Sequence, residues 1–276
     1  MKILSDRYTV NGYNGEWRLD VYSDTHFATE SVDEDKLKAD IADTKATGRP
    51  WVHLGDVIDG IIPGDRRWNE NYKRSLAPWA WKAHQESRLI EAEWERFAEL
   101  FSPIASQGVV VLSGDGKHNE MGDIADCFHN TISDWGVEGG FPACFYEITF
   151  NRGGSTSRRT VHLMLHHGYF AGRTNSNKVV NLERALNQFP DTHAFICGHG
   201  HNKVATRIDA LIVEGKKITQ RVRRGAMTGS YLKTYAQDVC GYGEIKGYPA
   251  SGLGKITLVL RPFHHDQEKR VEFENM

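Results

Sequence analysis

The sequence predicts an α/β fold built as a layered sandwich with mixed sheets. Short apolar runs alternate with helical segments in the first half, and the second half contains runs that read as β-hairpins. Alternating strands and helices are typical of sheets covered by helices, and hairpins add antiparallel strands to such sheets. The chain has no evident linker, internal repeat or low-complexity tract, so we expect residues 1–276 to form one domain.

The composition is that of an ordinary globular protein. Of the 276 residues, 39% are hydrophobic and 25% are charged, and the formal net charge is −2. No overall basic field therefore attracts nucleic acid or a membrane surface, so that polyanion binding needs a local patch. We find no signal peptide and no transmembrane span. The four cysteines form no CxxC pair, and we expect a reduced, cytoplasmic protein with no membrane partner.

The first half supplies strand–helix units. Strands are predicted at 17–22, 51–54 and 109–112. Helices are predicted at 32–47, 79–101 and about 123–135. The stretch 62–78 reads as a loop that contains basic and aromatic residues. Such a loop either holds phosphate and stacks a base or is a solvated surface, and the sequence leaves both readings open.

The second half supplies one helix and several further strands. A hairpin is predicted from 143–150 and 160–165 around Gly153-Gly154, and a helix at 180–188. Further strands are predicted at 194–197, 204–213, 215–223 and 253–260. Together with the first half, these strands are sufficient for more than one sheet.

Acidic residues and histidines follow the predicted strands, at the points where the strands end. They are Asp24, His26, Asp56, Asp115, His118, His167, His199 and His201. In open α/β sheets, ligands bind beyond the carboxyl ends of the strands, so these positions can converge. Mixed carboxylate and imidazole ligands suit a pair of divalent ions, where one carboxylate bridges the two. The strand ends therefore predict a dinuclear metal site.

In order along the chain, these residues resemble the signature of the calcineurin-like metallophosphoesterases. That signature is D-x-H, G-D-x-x-D, G-N-H-[DE], a later H-G and G-H-x-H. The matching segments are Asp24-Thr25-His26, Gly55-Asp56-Val57-Ile58-Asp59, a variant third motif, His167-Gly168 and Gly198-His199-Gly200-His201. The resemblance covers about residues 17–202 and extends to some phage-encoded members. It implies a four-layer α/β/β/α sandwich of two mixed sheets.

The resemblance also implies a role for each matched residue. Asp24, His26 and His201 would hold the first metal, and His167 and His199 the second. Asp56 would bridge the two metals, while Asp59 would orient its neighbours from behind them. The cofactors would be two divalent ions, with manganese favoured and iron, zinc or nickel as alternatives.

The third motif departs from the signature, because the chain reads Gly114-Asp115-Gly116-Lys117-His118-Asn119-Glu120. We favour an alignment in which Asp115 replaces the asparagine as a ligand of the second metal and His118 keeps the histidine's role. In the rival alignment Lys117 takes the asparagine position, which leaves either one strong metal or Asn119 as a ligand. Lys117 would otherwise neutralise substrate phosphate. In the fourth motif His166 competes with His167, and the histidine directly before the glycine is the better match.

The implied activity is phosphoester hydrolysis by metal-bound hydroxide at the dinuclear site, with His118 as the general acid that protonates the leaving group. We expect a phosphodiesterase acting on nucleic acid or nucleotides, because cations occur between Arg66 and Arg74 and again on a later strand. The cations of that strand are Lys216, Lys217, Arg221, Arg223 and Arg224. The alternatives are a phosphomonoesterase or phosphoprotein phosphatase, and a non-catalytic metal- or phosphate-binding module. The sequence leaves the oligomeric state open.

Overall fold

The structure is a computed structural model that describes residues 1–114, 123–170, 172–239 and 242–276. Its strands are β1 (Lys2–Val10), β2 (Trp17–Tyr22), β3 (Trp51–His53), β4 (Gly108–Val111), β5 (Glu138–Gly139), β6 (Ala143–Arg152), β7 (Arg158–His166), β8 (Ala194–Cys197), β9 (Val204–Glu214), β10 (Lys217–Met227), β11 (Ile256–Leu260) and β12 (Val271–Glu274). Its α-helices are α1 (Glu34–Thr47), α2 (Glu70–Ser75), α3 (Pro78–Gln85), α4 (Leu89–Phe101), α5 (Asp123–Asp134), α6 (Asn175–Gln188) and α7 (Tyr242–Ile245). Two short 3₁₀ helices span Ser102–Gln107 and Gln267–Lys269.

The strands form two six-stranded mixed sheets. The first sheet has the order β1-β6-β7-β8-β10-β9, in which β7, β8 and β10 are parallel to one another. The second sheet has the order β12-β11-β2-β3-β4-β5, in which β2 to β5 run parallel. The parallel pair β1–β6 and several antiparallel pairs complete the sheets, so the predicted α/β fold with mixed sheets is confirmed.

Among the described residues, three of the four clusters of buried apolar side chains pack between or against the two sheets. Leu19, Leu163 and Ile196 belong to a cluster that both sheets share. Beyond the second sheet, a cluster that includes Trp51 and Phe97 packs against α1, α4 and α5. Beyond the first sheet, a smaller cluster packs against α6. The strands between these clusters are covered on both faces, which explains their nearly continuous apolar sequences.

The structure corrects several predicted elements. The helix predicted at 79–101 is two helices, α3 and α4, because the chain turns at Ser87 with a left-handed φ of 58°. The short helix α2 lies inside the stretch predicted as a loop, with the side chain of Asn69 accepting hydrogen bonds from its first turn. Strand β1 was not predicted, since its residues alternate weakly and it pairs only with β6, far along the chain. Among the described residues, no helix is long and apolar enough to span a membrane.

The fold brings four strand ends to one place. β2 and β3 are parallel neighbours in the second sheet, and β7 and β8 are parallel neighbours in the first. The loops that follow them hydrogen-bond across the gap between the sheets. Asp24 donates its backbone N–H to the Gly55 carbonyl at 3.0 Å, and its Oδ2 accepts from the backbone of His199 at 2.9 Å. The polar residues after these strands therefore face one another.

Candidate metal centre

Six of the predicted ligands form two groups of three. The first triad is Asp24, His26 and His201, and the second triad is Asp56, His167 and His199. Within each group, one potential ligand atom of every residue lies within 4.8 Å of the others. Most of these side chains are buried, with Asp24 at 0% and Asp56 at 2% exposure.

In the first triad the donor atoms converge on one point. The Nε2 atoms of His26 and His201 are 3.2 Å apart. Oδ1 of Asp24 lies 3.2 Å from Nε2 of His201 and 3.8 Å from Nε2 of His26. The two carboxylate oxygens of Asp24 thus have different neighbours. Oδ1 faces the histidines of the triad, and Oδ2 accepts a hydrogen bond from the His199 backbone N–H.

In the second triad Nε2 of His167 lies 3.2 Å from Nδ1 of His199 and 3.3 Å from Oδ2 of Asp56. The same Asp56 oxygen is 3.8 Å from Nε2 of His26, which belongs to the first triad. Nδ1 of His167 is 2.8 Å from the Leu54 carbonyl, a contact that fixes the orientation of the ring and leaves Nε2 facing the centre. Asp56 therefore lies between the triads, where a shared ligand would be needed.

The backbone at the site is strained. The described residues include eight non-glycine positions with a left-handed φ, and five of them belong to the triads. They are Asp24, His26, Asp56, His199 and His201, with φ between 45° and 65°. Such conformations cost free energy and are concentrated at functional sites, where surrounding structure maintains them. The left-handed turns aim side chains from neighbouring loop positions at the same point.

Two glycines permit the close approach of these loops. A Cβ on Gly198 would lie 1.9 Å from Oγ of Ser23 and 2.6 Å from Oδ2 of Asp24. A Cβ on Gly55, whose φ is 102°, would lie 2.4 Å from the backbone of Gly114. Only glycine fits at either position, so close packing of the loops explains why the second and fifth motifs contain these glycines.

The donor set and its spacing fit divalent cations. Donors held at about 2.0–2.2 Å from one cation lie roughly 3.0–3.4 Å apart, close to the shortest separations in both triads. Oδ1 of Asp24 is buried and makes no hydrogen bond of good geometry within the described part of the chain. An inward-facing carboxylate oxygen between two imidazoles is an arrangement that a cation would satisfy.

The buried charges shift the pKa values of several of these groups. Burial alone lowers the pKa of His26 and His167, but neighbouring carboxylates outweigh it. Asp24 and Asp59 raise the pKa of His26 well above its usual value, and Asp56 helps to raise that of His167 to about 9. Burial tends to raise the pKa of Asp24, yet His201 and His26 hold it well below its usual value. In the metal-free protein the charged forms of His26 and His167 are thus favoured beside the carboxylates, whereas burial lowers the pKa of His199.

The remaining predicted residues have distinct positions. Oδ1 of Asp59 lies 3.5 Å from Nδ1 of His26, on the side of the ring away from the triad. His166 is outside the triads: its Nδ1 accepts from the Gly168 backbone, and burial lowers its pKa to about 4. Asp115, Lys117, His118 and Asn119 lie outside the described residues, as does the choice between their two alignments.

Several residues that support the site were not identified from the sequence. Ser230 donates through Oγ to the Asp24 carbonyl at 2.8 Å, beside the backbone N–H of Tyr231. The buried ammonium of Lys178 donates to the Gly200 carbonyl at 2.8 Å, between His199 and His201. Nδ1 of His53 accepts from the Gly55 backbone, and burial lowers the pKa of this histidine to about 3. None lies in a motif, and no sequence signal distinguishes them.

The two predicted cationic surfaces differ in their ion pairing and in their distance from the centre. Arg67 pairs with Asp65 and Lys73 with Glu70, while Arg66 and Arg74 are exposed. The hydrogen bond to Asp65 is the main cause of the raised pKa of Arg67, and the Asp59 carboxylate adds to it, so that Arg67 lies within electrostatic reach of Asp59.

The cationic strand β10 extends away from the centre. Met227, at one end of the strand, pairs with Cys197 beside the site, whereas Lys217 is ten residues away, roughly 30 Å along the strand. Arg223 is buried and donates to the Leu186 carbonyl. The cations at the far end of β10 therefore lie far from the centre, and only the Met227 end of the strand adjoins it.

Comparisons with known proteins add little to this picture. No protein-family model matches the chain, and no curated protein matches it. Among solved structures, the chain is similar to "GAP50 the anchor in the inner membrane complex of Plasmodium", with 10% identity and a TM-score of 0.47 over 89% of this chain and 81% of that one. A second solved structure has 10% identity and a TM-score of 0.37 over 94% of this chain and 98% of the other. Likenesses this distant carry no argument about function.

Proposed function

We propose that the chain is a metal-dependent phosphoester hydrolase of the calcineurin-like metallophosphoesterase type. The observation that carries the proposal is the meeting of the two triads, with Asp56 between them, at the ends of four strands. The triads come from segments in the same chain order as that family's motifs. The succession of helices, sheet, sheet and helix supports the four-layer α/β/β/α arrangement that the family implies.

In the proposed site each triad would hold one divalent cation, and Asp56 would serve as a ligand of both. Mixed oxygen and imidazole donors suit manganese, iron, zinc and nickel, of which manganese remains the favoured metal. When bound, the cations would supply Lewis acidity towards a phosphoester and lower the pKa of a water molecule.

The chain's own part is to hold this donor set rigid. Asp24 and His199 fix each other through the 2.9 Å backbone contact, and Asp59 orients the ring of His26 from behind. A rigid, largely buried donor set lowers the reorganisation that a charged transition state requires. His118 keeps its predicted role as general acid.

Phosphodiesters of nucleic acid or nucleotides are the proposed substrates. Support comes from the segment beside Asp59, where Arg66 and Arg74 are exposed and Trp68 packs against Tyr72 at a centroid distance of 5.6 Å. Exposed guanidinium groups attract phosphate, whereas Trp68 and Tyr72 pack in part against a neighbouring apolar cluster.

Hydrolysis of bis-p-nitrophenyl phosphate and of p-nitrophenyl phosphate with manganese present tests the proposal. We expect faster turnover of the diester, abolished by chelation and by Asp24→Asn, but kept in the control Asp35→Asn, whose carboxylate is fully exposed on α1. Faster turnover of the monoester would favour a phosphomonoesterase. Absence of turnover of both esters, with cations bound, would favour a non-catalytic binding module.

A further inference from the structure

Glu93 is a buried carboxylate on the apolar face of α4. Its exposure is 0%, and its neighbours on the helix include the buried side chains of Trp94 and Phe97. A buried carboxylate is costly unless hydrogen bonds compensate for the loss of water. A helix face that served only for packing would carry an apolar residue here. The position of Glu93 therefore calls for a specific partner.

That partner is the turn that ends the second motif. Oε2 of Glu93 accepts from the backbone N–H of Asp59 at 2.9 Å and from that of Gly60 at 3.0 Å. The Asp59 N–H also contacts the Phe27 carbonyl at 3.1 Å, whereas Glu93 is the acceptor that the structure gives to Gly60. The single oxygen thus ties two consecutive peptides of the turn to α4.

The Asp59–Gly60 turn also contacts a residue of the first triad. Oδ1 of Asp59 is 3.5 Å from Nδ1 of His26, and Nε2 on the other side of that ring faces His201. Contacts behind a ligand fix its orientation and commonly alter metal affinity by about 10- to 100-fold. Glu93 is one step further back, because it fixes the backbone from which Asp59 projects.

We propose that Glu93 is a positioning residue that acts through the Asp59–Gly60 turn to orient His26 in the first triad. The expected effect on metal binding rests on the proposed function. The expected effect on the orientation of His26 rests on the hydrogen bonds of Glu93 alone. We expect its effect to fall mainly on the first triad, because Asp59 contacts His26, a member of that triad. Neither the family resemblance nor the motif pattern includes this position.

Three substitutions at Glu93 separate its hydrogen bonds from its volume. Glu93→Met keeps the approximate volume but removes the acceptor, and Glu93→Asp keeps the carboxyl group but withdraws it by one carbon–carbon bond, about 1.5 Å. Glu93→Gln keeps a carbonyl oxygen that can accept from both N–H groups. Glu91→Gln, at an exposed position on the same helix, is the matched control.

The first measurement is long-range ¹H–¹⁵N NMR of the histidine rings in the metal-free full chain. We expect Glu93→Met and Glu93→Asp to move the His26 signals and to leave those of His193 unchanged, while Glu93→Gln and Glu91→Gln leave both in place.

The second measurement is calorimetric titration with Mn²⁺. It should show at least a tenfold weaker first-triad site in the Met and Asp variants, and less than a threefold change in the other site. The single-site variants His26→Ala and His167→Ala assign the two sites.

The two measurements distinguish the failure of this inference from that of the proposed function. If the wild-type chain binds no Mn²⁺, the proposed function fails, and the NMR result alone decides the role of Glu93. Unmoved His26 signals in folded Glu93→Asp would overturn the positioning role. Equal weakening of both Mn²⁺ sites would also overturn it, because it would point to a general structural effect. Should Glu93→Met not fold, Glu93→Asp against Glu93→Gln provides the same contrast.

Discussion

The Nε2 atoms of His26 and His201 lie 3.2 Å apart, although 175 residues separate them in the chain. One histidine follows a strand of the second sheet and the other follows a strand of the first. Two imidazole nitrogens at this distance, facing a buried carboxylate oxygen, have few stable arrangements without a shared proton or a cation. The whole fold is needed to bring them together, so the contact links the packing of the two sheets to the proposed chemistry.

Replacing His201 with alanine should remove one cation and leave the other. His201 contributes only to the first triad, so we expect the affinity there to fall by at least about 100-fold, more than is typical when a supporting contact is lost. Calorimetric titration with Mn²⁺ should then show one site instead of two, while circular dichroism shows an unchanged fold. Two sites with wild-type affinities would contradict the assignment of His201 as a ligand.

Asp56→Asn should weaken both sites, because its Oδ2 lies 3.3 Å from His167 and 3.8 Å from His26. An amide oxygen is a poorer ligand for hard cations and cannot neutralise two positive charges. The metal content after dialysis, measured by elemental analysis, should fall from two equivalents to well below one. Retention of one full equivalent would show that Asp56 serves a single cation.

Gly55→Ala should be more destabilising than an alanine at an uncrowded glycine. At Gly55 the new Cβ combines a φ of 102° with an approach of 2.4 Å to the Gly114 backbone. Gly215, in the β9–β10 turn, has a φ of 63° and open space around it, so Gly215→Ala carries only the backbone strain, about 1 kcal/mol. Urea unfolding should give a loss of at least about 3 kcal/mol for Gly55→Ala. Equal losses for the two variants would mean that the contact with Gly114 is unimportant.

His193 should make the stability of the metal-free protein depend on pH. Burial lowers the pKa of this histidine to about 4, and its Nδ1 accepts from the His162 backbone. Between about pH 4 and the unfolded value near 6.5, the unfolded chain binds a proton at this position that the native chain does not. The free energy of unfolding should therefore fall as the pH falls through this window, by up to about 1.4 kcal/mol per unit.

Denaturant titrations of the metal-free protein and of His193→Gln between pH 4 and 7 measure this contribution. The free energy of unfolding should depend less steeply on pH in the variant than in the wild type, because the contribution of His193 is lost. Some pH dependence should remain, because other groups keep theirs. Parallel slopes for the two proteins would show that His193 is accessible to protons in the folded state.

Much of the centre was predictable because its ligands follow short apolar strands in recognisable motifs. His167, for example, directly follows β7, and His199 is the second residue after β8; the composition of both strands reveals where they end. Glu93 and Lys178 were not predictable, since each acts through backbone groups that are distant in sequence, and such contacts leave no spacing to detect. The break between α3 and α4 escaped detection because the buried residues Ala83 and Ile90 are seven positions apart, a helical spacing that spans the polar turn at Ser87.

The most direct test of the central claim is anomalous X-ray diffraction from crystals of the protein grown with Mn²⁺. We predict two strong anomalous peaks, one among Asp24, His26 and His201 and the other among Asp56, His167 and His199, with Asp56 in contact with both. Absence of a peak from both triads, or Mn²⁺ bound only elsewhere on the surface, would contradict the account.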